Sequence, residues 1–164
     1  TLYNKITYLV IQSGTSLKAT TQTGAYDSSR LQNMINLAKE YSLLSKEHNG
    51  DYIPVSTVHE KLSLGLDAIN IAPEFGLIET ETYLDLITDE KFVQAFWKIC
   101  YDSNKWVKWV DSSFDPLVNK LDLIRICGHY VITSPEFIAL GYKNSYIDNE
   151  VQQRVKAKLD ELYK

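Results

Sequence analysis

Short β-rich apolar runs alternate with amphipathic stretches through the first half of the chain, and helical spacing takes over in the second. Residues 6–11 form an apolar run that predicts a strand ending at Gln12-Ser13-Gly14, and the Thr, Ser and Gly-rich stretch up to Gly24 predicts a long loop. Asp27 or Ser28 then caps a helix whose Leu31, Met34, Ile35, Ala38 and Tyr41 or Ser42 share one face at helical spacing, a core-forming face. Leu43-Leu44 leads a short strand into Lys46, Glu47 and His48. Pro54 suits the first turn of a following helix, which runs to about Gly65. Residues 67–71 supply another strand, and Pro73 and Gly76 break the pattern before a helix that carries Glu79, Glu81 and Asp85. Successive strand-loop-helix units predict a parallel sheet covered by helices.

Beyond Thr88 no strand follows promptly: Phe92, Ala95, Phe96, Ile99 and Cys100 keep helical spacing. Trp106, Val107, Trp109 and Val110 predict a short aromatic-rich helix with Lys105 and Lys108 among them. Such a mixture can stack on bases, but two lysines are few, and an amphipathic packing helix is the favoured reading. Residues 121–126 and 129–132 are short apolar runs that fit either helix or strand. Ser134-Pro135-Glu136 opens a helix, and Ser145 to Asp148 has the form of a capping box. Ile147, Val151, Val155, Leu159 and Leu162 then line one face of a terminal helix. The organisation expected is one domain or partial barrel over 1–164, with βα units in 1–87 and a mainly helical extension in 88–164.

Composition narrows the class. With 164 residues, 45% hydrophobic and 23% charged, the chain has apolar material for one core and is not disordered in character. A net charge of -4 gives no general field for a polyanion, so nucleic acid is not the expected partner. Cys100 and Cys127 are far apart and form no CxxC spacing, which favours reduced thiols in a cytosolic protein. No apolar run approaches the roughly 20 residues of a membrane span and no signal peptide opens the chain. A cytoplasmic protein without a membrane partner is therefore expected. The first residue is Thr1 and the only methionine is Met34, so a removed N-terminus or a fragment is also expected. A full eight-stranded barrel takes about 250 residues, so a barrel reading makes this chain part of one.

The candidate chemistry follows the strands. His48-Asn49-Gly50-Asp51-Tyr52 and Ile71-Ala72-Pro73-Glu74-Phe75-Gly76 each come after an apolar run, and repeating β/α proteins assemble active sites at strand C-terminal ends. His48 is the candidate ligand for a divalent metal, which would polarise a sugar carbonyl and stabilise an enediolate. Asp51 could orient that imidazole, ligate the ion or remove a proton, and Glu74 could approach the same cavity as base or second ligand. Plainer readings stand beside these. Asn49-Gly50-Asp51 is also an effective turn, Glu74 suits a helix N-terminus, and Lys18 and Lys46 either meet a sugar phosphate or remain solvated. One His is an incomplete metal site. The Ser13 to Ser16 loop lacks phosphate-loop spacing, and no nucleophile elbow, Walker sequence or zinc-protease helix occurs, which counts against hydrolases and nucleotide-binding proteins.

In order and spacing, Val10-Ile11-Gln12-Ser13-Gly14, Tyr26-Asp27, His48-Asn49-Gly50-Asp51-Tyr52, Ile71-Ala72-Pro73 and Tyr130-Val131-Ile132-Thr133-Ser134-Pro135-Glu136 resemble the tagatose-bisphosphate aldolase accessory subunits. The resemblance is to the C-terminal portion of that family and implies an α/β fold: the C-terminal part of a TIM-type barrel, with parallel strands followed by a mainly helical region. It implies a non-catalytic subunit that supports a class II ketose-bisphosphate aldolase, with a metal-dependent epimerase or aldolase as the enzymatic alternative and an interaction module as the other. It also implies a ketose phosphate or related sugar, a possible divalent metal with zinc the first choice, an aldolase catalytic subunit as partner, and an oligomer. His48 and Asp51 match the family's His-x-x-Asp-Tyr cluster, Gln12 and Gly14 its first strand end, and Pro73 its Gly-Pro turn. The site implied takes Asp51 and Glu74 as catalytic, His48 as metal ligand, and Gln12, Gly14, Lys18, Lys46 and Asn70 as substrate-binding. The family commonly has an acidic residue at the position of Lys46, a lysine at that of Asn70 and a small apolar residue at that of Glu74.

Overall fold

The computed structural model describes residues 6–163, and the chain divides into two compact units, 1–72 and 73–164. In the first, β1 (Tyr8–Ile11), β4 (Leu44–Glu47) and β5 (Ala68–Ile69) form a parallel sheet in the order β1-β4-β5. Tyr8 lies opposite Leu44, Ile11 opposite Glu47, and Glu47 opposite Ile69. A small antiparallel hairpin, β2 (Leu17–Lys18) and β3 (Thr21–Gln22), occupies the stretch predicted as a long loop. The parallel strands are joined through α1 (Ser28–Glu40) and α2 (Val55–Ser63).

Local chemistry explains these boundaries. Asp27 is extended and its carboxylate accepts from the Arg30 N–H at 2.9 Å, satisfying one of the open donors of the first turn of α1. Leu31, Ile35 and Ala38 are buried along one face, and Leu31 and Ile35 join Ile11 and Leu66 in a core to which Leu9, Met34 and Ile69 add partly buried surface. That core lies on one face of the sheet. Opposite it, Tyr8, Val10 and Leu44 are 42%, 53% and 42% exposed, a mainly apolar strand face, shared with Lys46, that the helices of this unit leave open. Parallel sheets are ordinarily covered on both sides.

The second unit is helical: α3 (Pro73–Leu86), α4 (Glu90–Ser103), α5 (Lys120–Cys127), α6 (Pro135–Ile138) and α7 (Ser145–Leu162), with 3-10 turns at Val107–Trp109 and Gly128–Tyr130. The aromatic run around Trp106 is thus a 3-10 turn, residues 121–126 are helical and 129–132 are turn. The N-cap of α7 is Asn144, whose side chain accepts from the Ile147 N–H at 3.1 Å, one residue before the expected box. Ser134 caps α6 with Pro135 following, as its sequence predicts. Helix α3 packs on α5 and α7, and α4 packs on α5 and α6. Their shared core is aromatic: the Phe137 ring meets Tyr83, Phe92 and Phe96 at centroid distances of 5.2, 6.1 and 4.8 Å, and all four side chains are buried. Rings of this size each contribute about 1.5–3 kcal/mol by burial, plus a smaller gain from edge contacts. Cys100 and Cys127 are buried free thiols.

Candidate functional site

The C-terminal ends of β1, β4 and β5 carry polar residues from the first unit. Gln12 is exposed directly after β1, and its side-chain carbonyl accepts from the Gly14 N–H at 3.4 Å. His48 is exposed directly after β4, and its Nδ1 lies 3.0 Å from the Asn70 amide nitrogen beyond β5. Because that amide nitrogen only donates, Nδ1 accepts and the ring proton sits on Nε2 in this arrangement. The pair offers a hydrogen-bond donor at the rim, suited to a phosphate or sugar oxygen.

The loop from His48 to Tyr52 has a constrained backbone. Asn49 and Tyr52 adopt left-handed φ values of 60° and 57°, and Gly50 lies between them. A Cβ on Gly50 would fall 2.1 Å from the Ile69 Cγ2, so the residue is fixed by close approach to β5. The loop's buried Asp51 accepts from the Ala72 N–H at 2.8 Å through Oδ1, fastening it to the segment after β5. Gln22 of the hairpin donates through Nε2 to the carbonyls of Asn49 and Asp51 at 3.0 and 3.1 Å, and accepts from the Ser16 N–H at 2.6 Å. One side chain therefore ties both loops together.

Beneath this rim is an ion pair that the sequence reading does not single out. Lys61 of α2 and Glu47 of β4 are fully buried, with Nζ to Oε2 at 2.7 Å and Nζ to Ser13 Oγ at 3.0 Å. The second carboxylate oxygen accepts from the Ser13 N–H at 2.7 Å, from the Ser13 hydroxyl, and from the Thr15 hydroxyl at 3.2 Å. Tyr26 lays its ring 4.7 Å from the ammonium, and its hydroxyl, pushed up to about 12 by burial and by the Glu60 carboxylate it donates to, stays protonated. Burial opposes ionisation of Glu47, yet the Lys61 ammonium and the Ser13 donors outweigh it and hold the carboxyl below its ordinary value. The network pins the loop after β1 to the end of β4. It also engages the backbone donors of the Ser13 to Ser16 loop: Ser13 gives its N–H to Glu47, Gly14 to Gln12 and Ser16 to Gln22. Gly14 has φ +102°, and a Cβ there would lie 2.1 Å from the Ala25 carbonyl oxygen, so backbone geometry alone requires glycine.

The remaining expected residues fall as follows. Lys18 is exposed in the hairpin, where its carbonyl accepts from the Thr21 hydroxyl at 2.9 Å. Lys46 is half-buried on the open sheet face, its Nζ 5.5 Å from the Tyr8 ring. Glu74 belongs to the second unit, in the first turn of α3, and pairs with Lys158 of α7 at 2.8 Å. The structure thus joins His48 to Asn70 and Gln12 to Gly14 directly. Among the described residues no group of three or more His, Cys, Asp and Glu side chains is placed to hold a metal ion. His48 with Asn70 as its neighbour does not fit the donor set of a divalent centre, which needs at least two more such ligands. Among the same residues no helix is long and apolar enough to cross a membrane.

One signal in the sequence points towards the buried pair: Lys61 interrupts the stripe led by Val58, the other buried residue of α2. Along β4 the alternation is silent, since Ser45 and Glu47 share the buried face while Leu44 and Lys46 share the open one.

The fold is an α/β arrangement of three parallel strands followed by a mainly helical C-terminal region. No protein-family model and no curated protein matches the chain. Among solved structures it is similar to a probable tagatose 6 phosphate kinase from Sinorhizobium meliloti 1021, with a TM-score of 0.58 and 19% sequence identity over 94% of this chain. The chain spans 41% of the length of that protein.

Proposed function

We propose that this chain is the C-terminal part of a TIM-type barrel protein of carbohydrate metabolism, resembling the non-catalytic subunit of a class II ketose-bisphosphate aldolase. The observation that carries the reading is the uncovered strand face. In an isolated parallel sheet Tyr8, Val10 and Leu44 would waste apolar surface on water, whereas in a closed barrel they line the interior. The two outer edges of the three-stranded sheet would pair with further strands in the same closure. The likeness to a chain more than twice as long, itself described as a probable tagatose 6 phosphate kinase, supports the same reading.

On this reading a ketose phosphate meets the rim formed by His48, Asn70 and Gln12, with His48 Nε2 donating to an oxygen of the sugar or its phosphate. Lys18 and Lys46 supply positive charge, and Asp51 and Glu47 hold the loops in place. The protein acts in the cytoplasm by supporting a catalytic aldolase subunit in an oligomer. The purified protein is expected to be inert alone and, when mixed with that subunit, to raise the partner's thermal midpoint and turnover by mass action. An unchanged midpoint and turnover across a saturating titration would count against the accessory role. Turnover by the protein alone, lost in His48→Ala, would replace it with the enzymatic alternative.

A further inference from the structure

In the second unit a groove of about 530 Å³ lies between the 3-10 turns, lined by Asn104, Lys105, Val107, Lys108 and Tyr130. That volume falls in the range that accommodates small ligands, roughly 300–1,000 Å³. Two of its lining residues are lysines set against rings and a carbonyl. Five other basic side chains of the unit sit against carboxylates, Lys98 on Asp102, Arg125 on Glu81, Arg154 on Asp85, Lys156 on Asp160 and Lys158 on Glu74, while Lys120 donates to the Gln94 side chain and lies 4.4 Å from the Trp97 ring. Lys105 and Lys108 have no carboxylate within ion-pair distance among the described residues. Instead both ammonium groups converge on one ring, 5.9 and 5.5 Å from the centroid of Tyr130, with Lys108 also 4.7 Å from that of Trp109. Lys105 is held in place by the Tyr130 carbonyl, to which it donates at 2.7 Å.

In a chain of net charge -4, two neighbouring unneutralised ammonium groups beside an apolar wall form a local positive site. Its reach is felt at His129, where burial and then the charges of Lys105 and Lys108 hold the imidazole below its ordinary value. We propose that this groove binds a phosphomonoester whose ester group is flat and apolar. The phosphate carries about -1.5 to -2 charges at neutral pH, matching the two lysines, and its oxygens accept from both ammonium groups. The apolar group lies against Val107 and the Tyr130 ring, while Asn104 can bond a polar edge. A bare carboxylate would leave half of the positive charge unmet, and a bare phosphate would leave the apolar wall wet. All of the lining residues belong to the second unit.

Phenyl phosphate, inorganic phosphate and phenol are suitable probes, titrated into the full chain with the fluorescence of Trp106 and Trp109 as readout. Phenyl phosphate is expected to saturate at least tenfold below the concentration needed for either fragment, and its affinity to fall as salt rises. Lys105→Glu and Lys108→Glu should each weaken it by at least tenfold. Lys143→Glu, a charge change on an exposed loop elsewhere in the unit, should leave it within twofold. Absence of saturation, or equal weakening by Lys143→Glu, overturns the proposal. Isothermal calorimetry on the same variants separates lost binding from a merely altered fluorescence signal.

Discussion

The two units solve the problem of a core in opposite ways. The first buries charged and hydroxyl side chains: Glu47, Lys61 and Asp51 with Ser13, Thr15 and Ser45 are all below 9% exposure, and they concentrate at or near the strand ends. The second buries rings, and its buried polar residues are Thr80 and Thr82, whose hydroxyls bond back to the carbonyls of Gly76 and Ile78 within α3. Its charges stay outside, mostly in pairs along or between helices. Apolar packing tolerates small shifts, because dispersion is not directional. A buried ion pair tolerates few, because each lost hydrogen bond leaves a charge in a low dielectric. The first unit therefore gives up some stability for fixed loop positions at the rim, and the second does not need to.

The sharpest way to break this comparison is Lys61→Met. Glu47 would be left buried without its counter-ion, and the first unit should lose about 3–5 kcal/mol in urea unfolding followed by a probe in that unit. Adding Glu47→Leu removes the stranded charge and should return a substantial part of the loss. A double variant no better than the single one would mean that the pair's charge is not what matters. Phe96→Ala in the second unit should cost a similar ~3–5 kcal/mol, through the cavity left beside Phe92 and Phe137. No second deletion should rescue it, and rescue would erase the distinction between the two cores.

Acid should separate the units next. Glu47 is depressed when folded, so its contribution is present above the ordinary carboxylate value of 4.5 and is lost as pH falls below it through the folded value. His129 is also depressed, by burial first and then by the nearby lysines. Below 6.5 the unfolded chain takes up a proton that the folded one refuses, and the second unit weakens from there downward. Glu79 works against this: burial raises its carboxyl, so protonating it favours the folded form. Comparing His129→Phe with the parent cancels that term, and the parent's relative stability should decline between pH 7 and 5. A difference that stays flat over that interval would remove His129 from the account. Smallest of all is Lys98→Ala on the exposed surface of α4, which should change stability by no more than about 0.5 kcal/mol. A loss matching that of Lys61→Met would end the contrast between buried and exposed lysines.

Much of the scaffold is legible in the sequence because its signals are local. Asp27 before the Leu31, Ile35 and Ala38 stripe, and Ser134 before Pro135, are capping chemistry that tertiary contacts have no reason to override. Strand Ala68–Ile69 is shorter than the apolar stretch around it: the Asn70 N–H still makes the ladder bond to the Glu47 carbonyl, but the Asn70 carbonyl accepts from Gly50, in the left-handed loop where β4 has already ended. The hairpin escapes a periodicity argument, its strands being two residues each. At the site, His48 and Asn70 are legible as strand-end residues, while their contact spans 22 positions and depends on the register of β4 with β5. Glu47 with Lys61 and Gln22 with Asn49 are long-range pairs of residue types common on any surface. Sequence marks the polar residues; only packing tells which of them are inside.

The crossing of Gly50 over Ile69 carries a lesson for anyone wishing to redesign the rim. With Asn49 and Tyr52 already in left-handed backbone on either side, position 50 admits no alternative side chain, whereas Gln12 holds one backbone N–H, that of Gly14, and His48 and Asn70 hold each other. A combinatorial library should hold the first fixed and randomise the other three, treating the mouth of these strands as an interchangeable set of fingertips on a rigid hand.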